Sequence, residues 1–337
     1  MKILFVGLGS IGQRHLQNIK KLYPNSFLYA LRKRNKSLVI KETKILKNKN
    51  LEKTFNLKIL RDYKQAKKLK PDLVLICNPT NFHYRDVNFF VQNKINVFVE
   101  KPIIANLNKI KKLNFKIKKL KVNTMVGYQL RFHPMVKFVK NLIYKQKYGS
   151  VVKASFKNLS YLPDYHPYED YSKSYAAKKK GGGGVINTSS HEIDLITYFF
   201  GYPIKIHSTN IKSNNIKCDT EDLIFCNLIF KKEQYFLVNL ELSFIHYLNQ
   251  RSFSIFFRNA YLKANLLTSE LEIFSNKSKK RISYKRFKVR KNDLFLEELR
   301  YMKICQKSKK ENFLSIENNL ATIKLIDQIK KFKIKNL

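Results

Sequence analysis

Four cysteines (Cys77, Cys218, Cys226 and Cys305) are all that the 337 residues contain, and no two form a C-x-x-C pair. That leaves no zinc pattern and no disulfide framework, and Cys77, inside LVLIC, reads as a small core residue. No metal site is expected. Long apolar runs are missing too. None approaches the roughly 18 residues needed to cross a bilayer. The N-terminal MKILFVGLGS lacks a full h-region and an A-x-A cleavage site. The expectation is a soluble, cytoplasmic protein with no membrane partner. Acidic residues are scarce, 24 against 67 basic, for a formal net charge of +43. The lysines are spread along the chain and accompany abundant Asn and Ile and no tryptophan. That mixture resembles the codon bias of an AT-rich genome and implies a diffuse solvated surface, so no specific nucleic-acid partner is expected. The densest basic tract, KSKKRISYKRFKVRKN (277–292), alternates with apolar residues. It reads as an exposed hairpin edge kept soluble by lysine, with a polyanion site as the sharper alternative. Glycine is sparse as well, ten in all, yet four stand together at 181–184.

A chain of this length is more than one core usually fills, so two domains are expected. In the first, KILFV reads as a buried strand that runs straight into Gly7-Leu8-Gly9-Ser10-Ile11-Gly12 and then a helical pattern, RHLQNIKKL. G-x-G-x-x-G between a strand and a helix is a dinucleotide cradle: a tight turn, a close backbone approach to pyrophosphate, and a helix N-terminus facing the phosphates. After the second strand, FLYAL, an NAD-preferring site would carry a carboxylate for the ribose hydroxyls. This chain has Arg32-Lys33-Arg34 instead. Arg32 or Arg34 could pair with a 2′-phosphate, which predicts NADP(H) in preference to NAD(H).

Strand and helix patterns go on alternating through LKIL, PDLVLIC, NVFVE and NTMVGY, the signature of a doubly wound parallel sheet. Asn78-Pro79-Thr80 and Glu100-Lys101-Pro102 fall at carboxyl ends of its strands, where such sheets bind ligands. Past residue 150 the pattern changes to alternating strands, among them VVKASFKNLSY, LIFCNLIF, QYFLVNLELSF and SFSIFF. The fold class is α/β: a Rossmann domain over 1–122, then an α+β domain over 123–337 with a large, mainly antiparallel sheet and C-terminal helices near 293–335. One face of that sheet needs covering, so a homodimer or homotetramer is expected.

The stretch PDLVLICNPTNFHYRDVNFFVQNKINVFVEKPI, with GYQLRFHP (127–134) and GGGGVINTSSHEIDLITYFFG (181–201), resembles the glucose-fructose oxidoreductase, inositol dehydrogenase and MocA family. YLPDYHPYEDYSKSYAAKKKGGG (161–183) is similar to members from bacterial surface-sugar pathways. The resemblance implies a two-domain NAD(P)-dependent oxidoreductase acting on sugars or related polyols. It places the family lysine of E-K-P at Lys101, against the nicotinamide ribose and a substrate hydroxyl, and the family histidine at His191. The family aspartate four residues earlier is Asn187 here, a residue that can contact substrate but cannot relay a proton. Other expected readings are redox-neutral chemistry with a retained cofactor, and a non-catalytic nucleotide or polyanion binder.

The residue types suit hydride transfer. An imidazole serves as base or acid near neutrality, and a lysine beside the cofactor stabilises a developing oxyanion. Lys101 and His191 are therefore the catalytic candidates. Gly7, Gly9, Ser10, Ile11, Gly12, Arg32, Arg34, Asn78, Pro79, His83, Glu100 and Lys101 are the cofactor candidates, with His83 also able to cap the next helix. Glycines 181–184 are expected to let backbone pass close to nicotinamide or sugar before a helix capped by Asn187, Thr188, Ser189 or Ser190. Asp194 reads as a first-turn dipole partner or as an orienter of His191. Asn187, Arg131, Tyr161, Tyr165 and Tyr175 are the substrate candidates. The aromatic loop that also holds His166, Tyr168 and Tyr171 is read as a lid over a sugar-like substrate.

Overall fold

The computed structural model describes residues 1–32, 39–41, 44–46, 49–166, 168–307 and 312–336. KILFV is apolar after Lys2, and as β1 (Lys2–Val6) its four apolar residues are all buried. The chain then alternates through α1 (Ser10–Leu22), β2 (Phe27–Leu31), an antiparallel pair β3 (Val39–Lys41) and β4 (Lys44–Leu46), and α2 (Leu51–Phe55). It continues through β5 (Leu57–Leu60), α3 (Tyr63–Leu69), β6 (Leu73–Ile76), α4 (His83–Gln92), β7 (Asn96–Glu100), α5 (Leu107–Leu120) and β8 (Thr124–Gly127). Six of these strands form one parallel sheet in the order β5-β2-β1-β6-β7-β8. The order reverses between β1 and β6, and a crevice opens there at the carboxyl ends of the strands. The sheet runs on past residue 122 to Gly127.

Beyond α6 (Pro134–Tyr144) the chain lays down β9 (Val151–Tyr161), then α7 (Val185–Thr188) and α8 (Ser190–Phe200). Seven strands follow in sequence: β10 (Lys205–Lys212), β11 (Leu223–Lys231), β12 (Tyr235–Ser243), β13 (Ile245–Phe257), β14 (Ala260–Asn265), β15 (Glu270–Ser275) and β16 (Arg281–Arg286). After α9 (Lys291–Lys307) and α10 (Leu320–Ile329), β17 (Ile334–Asn336) closes the sheet order β16-β15-β14-β13-β9-β12-β11-β10-β17. Pairing is antiparallel except between β9 and β12 and between β10 and β17. In β11 the even positions Ile224, Cys226, Leu228 and Phe230 are buried while Phe225 is 47% exposed, so this sheet has one covered face. The basic tract includes the edge strand β16, whose side chains are mostly exposed. Among the described residues no helix is long and apolar enough to cross a membrane.

The helix against the covered face is α8. It is buried nearly all round, with Ile193, Leu195, Ile196, Phe199 and Phe200 supplying the apolar contact, and it stops at Gly201, whose φ is 87°. Phe199 and Phe200 meet Phe156 of β9 at ring-centroid separations of 6.2 and 6.3 Å. Its opposite side carries Asp194, fully buried. Arg131 donates to Asp194 through Nε (2.9 Å) and Nη2 (2.5 Å), and also to the Phe313 carbonyl (2.6 Å) and Asn319 Oδ1 (2.9 Å). Two expectations change here. Arg131 is committed to internal partners and is 4% exposed, so it does not read substrate. Asp194 is held by Arg131 and Thr322, so it neither serves the helix dipole nor orients His191.

Removing one member of such a pair leaves the other charge buried and alone, at a cost of about 3–5 kcal/mol. Arg131→Ala should therefore lower unfolding stability in urea by that amount. A double Arg131→Met, Asp194→Leu variant should recover most of it.

Candidate active site

The first turn of the crevice is dictated by contact. Gly7 has φ 96°, and a Cβ there would lie 2.5 Å from the Asn78 nitrogen. Gly12 packs beneath it, where a Cβ would meet the Gly7 carbonyl at 2.3 Å. Gly9 differs: a Cβ there would touch nothing within 4 Å. It is the N-cap of α1, without a side-chain cap bond and with no acid in the first turn. Free N–H groups and the positive end of a 13-residue helix thus face open space. That is what a pyrophosphate requires.

A cavity of about 730 Å³ extends from this turn, and Gly7, Gly9, Ser10, Ile11, Arg32, Asn78, Pro79, His83, Glu100, Lys101, Tyr175 and His191 all line it. Gly12 supports the turn from below. Arg34 lies outside the described residues. His83 is buried between the Pro102 carbonyl, 2.9 Å from Nδ1, and the Asn78 carbonyl, 2.7 Å from Nε2. It sits between the loops after β6 and β7, and burial lowers its pKa. Asn78 in turn donates to Asp86 at 2.6 Å.

Glu100 ends β7 with its Oε1 2.6 Å from His15 Nε2. Burial raises the Glu100 pKa, but the bond and charge of His15 and the nearby Lys101 outweigh it, and the net shift is downward. Sequence reasoning missed His15; its one available signal was its place on α1, three residues past Gly12. The Lys101–Pro102 bond is cis. Lys101 Nζ donates to the Thr188 carbonyl at 2.7 Å, three residues before His191. Burial brings this ammonium down to about 8, against the opposing pull of Glu100.

His191 is 5% exposed, its Nδ1 is buried with no protein partner, and Tyr128 meets its ring edge-on at 5.6 Å. Burial, then the positive charges of Lys101 and Arg251, hold it well below the ordinary histidine range. It is a neutral imidazole at pH 7, next to an ammonium.

The glycine run has another purpose than expected. None of 181–184 lines the large cavity. A Cβ on Gly182 would strike Asn81 at 2.8 Å, on Gly183 the Ala176 carbonyl at 2.4 Å, and on Gly184 the Glu221 carboxylate at 2.2 Å. The small residues let this loop press against protein. Asn187, 1% exposed, donates to the carbonyls of Gly182 and Gly183, both at 2.9 Å, and so holds the loop rather than a substrate. No side chain caps α8.

A second cavity, about 450 Å³, shares Ser10, Ile11, His166, Tyr168 and His191 with the first. The aromatic loop borders both. Tyr165 lines the second and bonds Ser160 at 2.7 Å. Tyr161 packs on Tyr247, centroids 4.5 Å apart, and lines none of the described cavities. Phe295 and Gln129 line the large cavity without having been singled out. Among the described residues no cluster of His, Cys, Asp and Glu could hold a metal ion.

Comparison with known proteins adds to this geometry. Residues 1–128 match the oxidoreductase family with an NAD-binding Rossmann fold, and residues 136–263 match the GFO/IDH/MocA C-terminal domain. A myo-inositol 2-dehydrogenase of Thermotoga maritima is 26% identical over 209 residues, 61% of this chain and 56% of that one. The chain spans about half the length of the curated relatives it matches. Among solved structures, an oxidoreductase from Agrobacterium radiobacter in complex with NAD+, L-tartaric acid and magnesium superposes with a TM-score of 0.79 at 15% identity, over 97% of this chain and 94% of that one. The WlbA dehydrogenase of Bordetella pertussis, in complex with NADH and UDP-GlcNAcA, superposes at 0.78 with 14% identity, over 98% and 96%. At these identities the likeness is one of fold.

Lys101 should lose its proton with a midpoint near 8, against 10.5 for an ordinary lysine. Labelling by trinitrobenzenesulfonate across pH 6–11, read by peptide mass spectrometry, checks this. A midpoint near 10 would place the side chain in solvent.

Proposed function

Because the chain belongs to the GFO/IDH/MocA family of oxidoreductases, we propose that it transfers a hydride between a nicotinamide cofactor and a hydroxyl or keto carbon of a sugar or sugar derivative. The observation that carries this is the meeting of Lys101, at the end of a parallel-sheet strand, with the turn that leads into the His191 helix, at the wall of one cavity. The glycine turn and the open space over Gly9 fit a dinucleotide. When bound, the nicotinamide accepts or supplies the hydride.

The chain's own residues handle the proton. His191, neutral and with an unpartnered Nδ1, takes the hydroxyl proton in oxidation and returns it in reduction. Lys101 engages Thr188 with one of its three N–H groups. The others can hold the substrate oxygen as negative charge builds, in a site where burial strengthens the attraction. Glu100, anchored by His15, keeps the Lys101 backbone in place through a 3.3 Å bond to its N–H. Tyr175 and Tyr165 supply aromatic walls for a sugar ring.

Arg32 in the cavity wall supports NADP(H) over NAD(H). The similarity of residues 161–183 to surface-sugar members supports a role in polysaccharide biosynthesis. Phe225 and Phe256, 47% and 40% exposed on the large sheet, support a homodimer or homotetramer formed across that face. Four buried, unpaired cysteines suit the reducing cytoplasm.

Lys101→Ala should lower hydride transfer by about 10³-fold, read at 340 nm, while dinucleotide affinity changes little. Activity near the wild-type rate would remove the lysine from the chemistry. Arg32→Ala should weaken NADPH binding about tenfold more than NADH binding; equal effects would remove the cofactor preference.

A further inference from the structure

His191 stands between two cavities, and only the first is explained by a dinucleotide. The second is lined by Arg14, Asn158, Tyr165, Gln250, Arg251 and His191 among others, with no carboxylate among its described lining residues. Arginine is far the rarer cation in this chain, yet the lysines that cover the surface are absent from this wall.

How Arg251 is held is informative. It sits on β13 directly opposite Asn158 of β9. Glu192, the residue after His191, is 1% exposed and has both oxygens engaged: Oε1 accepts from Arg251 Nε at 2.6 Å and Oε2 from Asn158 Nδ2 at 3.1 Å. Glu192 thus grips the guanidinium by its inner nitrogen. The two terminal nitrogens have no protein partner among the described residues, and the side chain is 24% exposed beside the cavity. The purely structural pair differs: Asp194 takes both Nε and Nη2 of Arg131, whose terminal nitrogens also reach Phe313 and Asn319, so that guanidinium is fully engaged by protein. A guanidinium anchored behind and open in front is a preset fork for two oxygens of one anion.

We propose that Arg251 is a specificity-determining residue that reads an anionic substituent, carboxylate or phosphate, on the sugar substrate, and that Glu192 and Asn158 position it. The substrate is therefore an acidic sugar derivative whose reacting carbon lies at His191 and whose charge lies in the second cavity. This rests on the hydride-transfer reading above and narrows its substrate class.

The test is calorimetric titration of the full chain, saturated with NADPH, with D-glucose, D-glucuronate and D-glucose 6-phosphate. The expected result is that one of the two anions binds at least about tenfold tighter than glucose, the stronger one identifying the substituent. Arg251→Gln should bring that ratio to within about twofold, while NADPH affinity stays unchanged, since Arg251 does not line the dinucleotide cavity. Arg251→Gln also strands Glu192, so the double variant Arg251→Gln, Glu192→Gln, with no uncompensated charge, should show the same loss. The subsite falls if NADPH binds but neither anion outbinds glucose, or if the anion advantage survives Arg251→Gln; the dinucleotide reading would then still stand. Failure of NADPH to bind would overturn both.

Discussion

The hydrogen bond from the Lys101 ammonium to the Thr188 carbonyl helps join the two halves of this protein where the chemistry is proposed. Lys101 follows β7, the fifth strand across the parallel sheet, and Thr188 ends the short helix that leads into His191. A hydrogen bond to a charged group contributes roughly 1.5–3 kcal/mol, and here it also sets the chemistry. The ammonium it holds is buried, which lowers its pKa, and it lies beside an imidazole that is itself kept neutral. The Lys101 charge discourages charge on the imidazole. The result is one cation and one base at the same wall, the division of labour that moving a proton during hydride transfer requires.

The surroundings maintain that arrangement with paired side chains. Arg131 and Asp194 fasten the far side of α8, Glu192 and Arg251 fasten its near end to β13, and His15 and Glu100 hold the end of β7. Each carboxylate is buried and each has a partner from a different element, so each specifies one relative placement of helix and sheet. The excess of lysine lies outside this interior. Lys101 apart, the site is built from the scarcer residues: acids, histidines and arginine.

What could be read from the sequence was whatever is enforced locally. Gly7 and Gly12 are required by backbone approach within a few residues of the turn, so G-x-G-x-x-G placed the phosphate cradle at the end of β1. The fully apolar ILFV and LVLI announced buried parallel strands, and the alternation in LIFCNLIF announced a sheet with one open face. Partner choice was not legible in the same way. Nothing near Arg131 indicates that Asp194, 63 residues away, will claim it, and nothing near Arg251 indicates Glu192, 59 residues away. Glycines 181–184 were legible as a close approach but not as an approach to Asn81, Ala176 and Glu221, because the surfaces they meet come from distant segments. Asn187 shows the same limit: its amide is turned onto the loop just before it, a choice made by the packing of that loop.

In the proposed reaction one dinucleotide spans the glycine turn and the His191 helix. Hydrogen–deuterium exchange of the full chain with and without saturating NADPH tests it most directly. Slowed exchange in residues 7–13, 78–83 and 185–192 together is the predicted result. Protection limited to residues 7–13 and 78–83, with 185–192 exchanging as in the free protein, would contradict it.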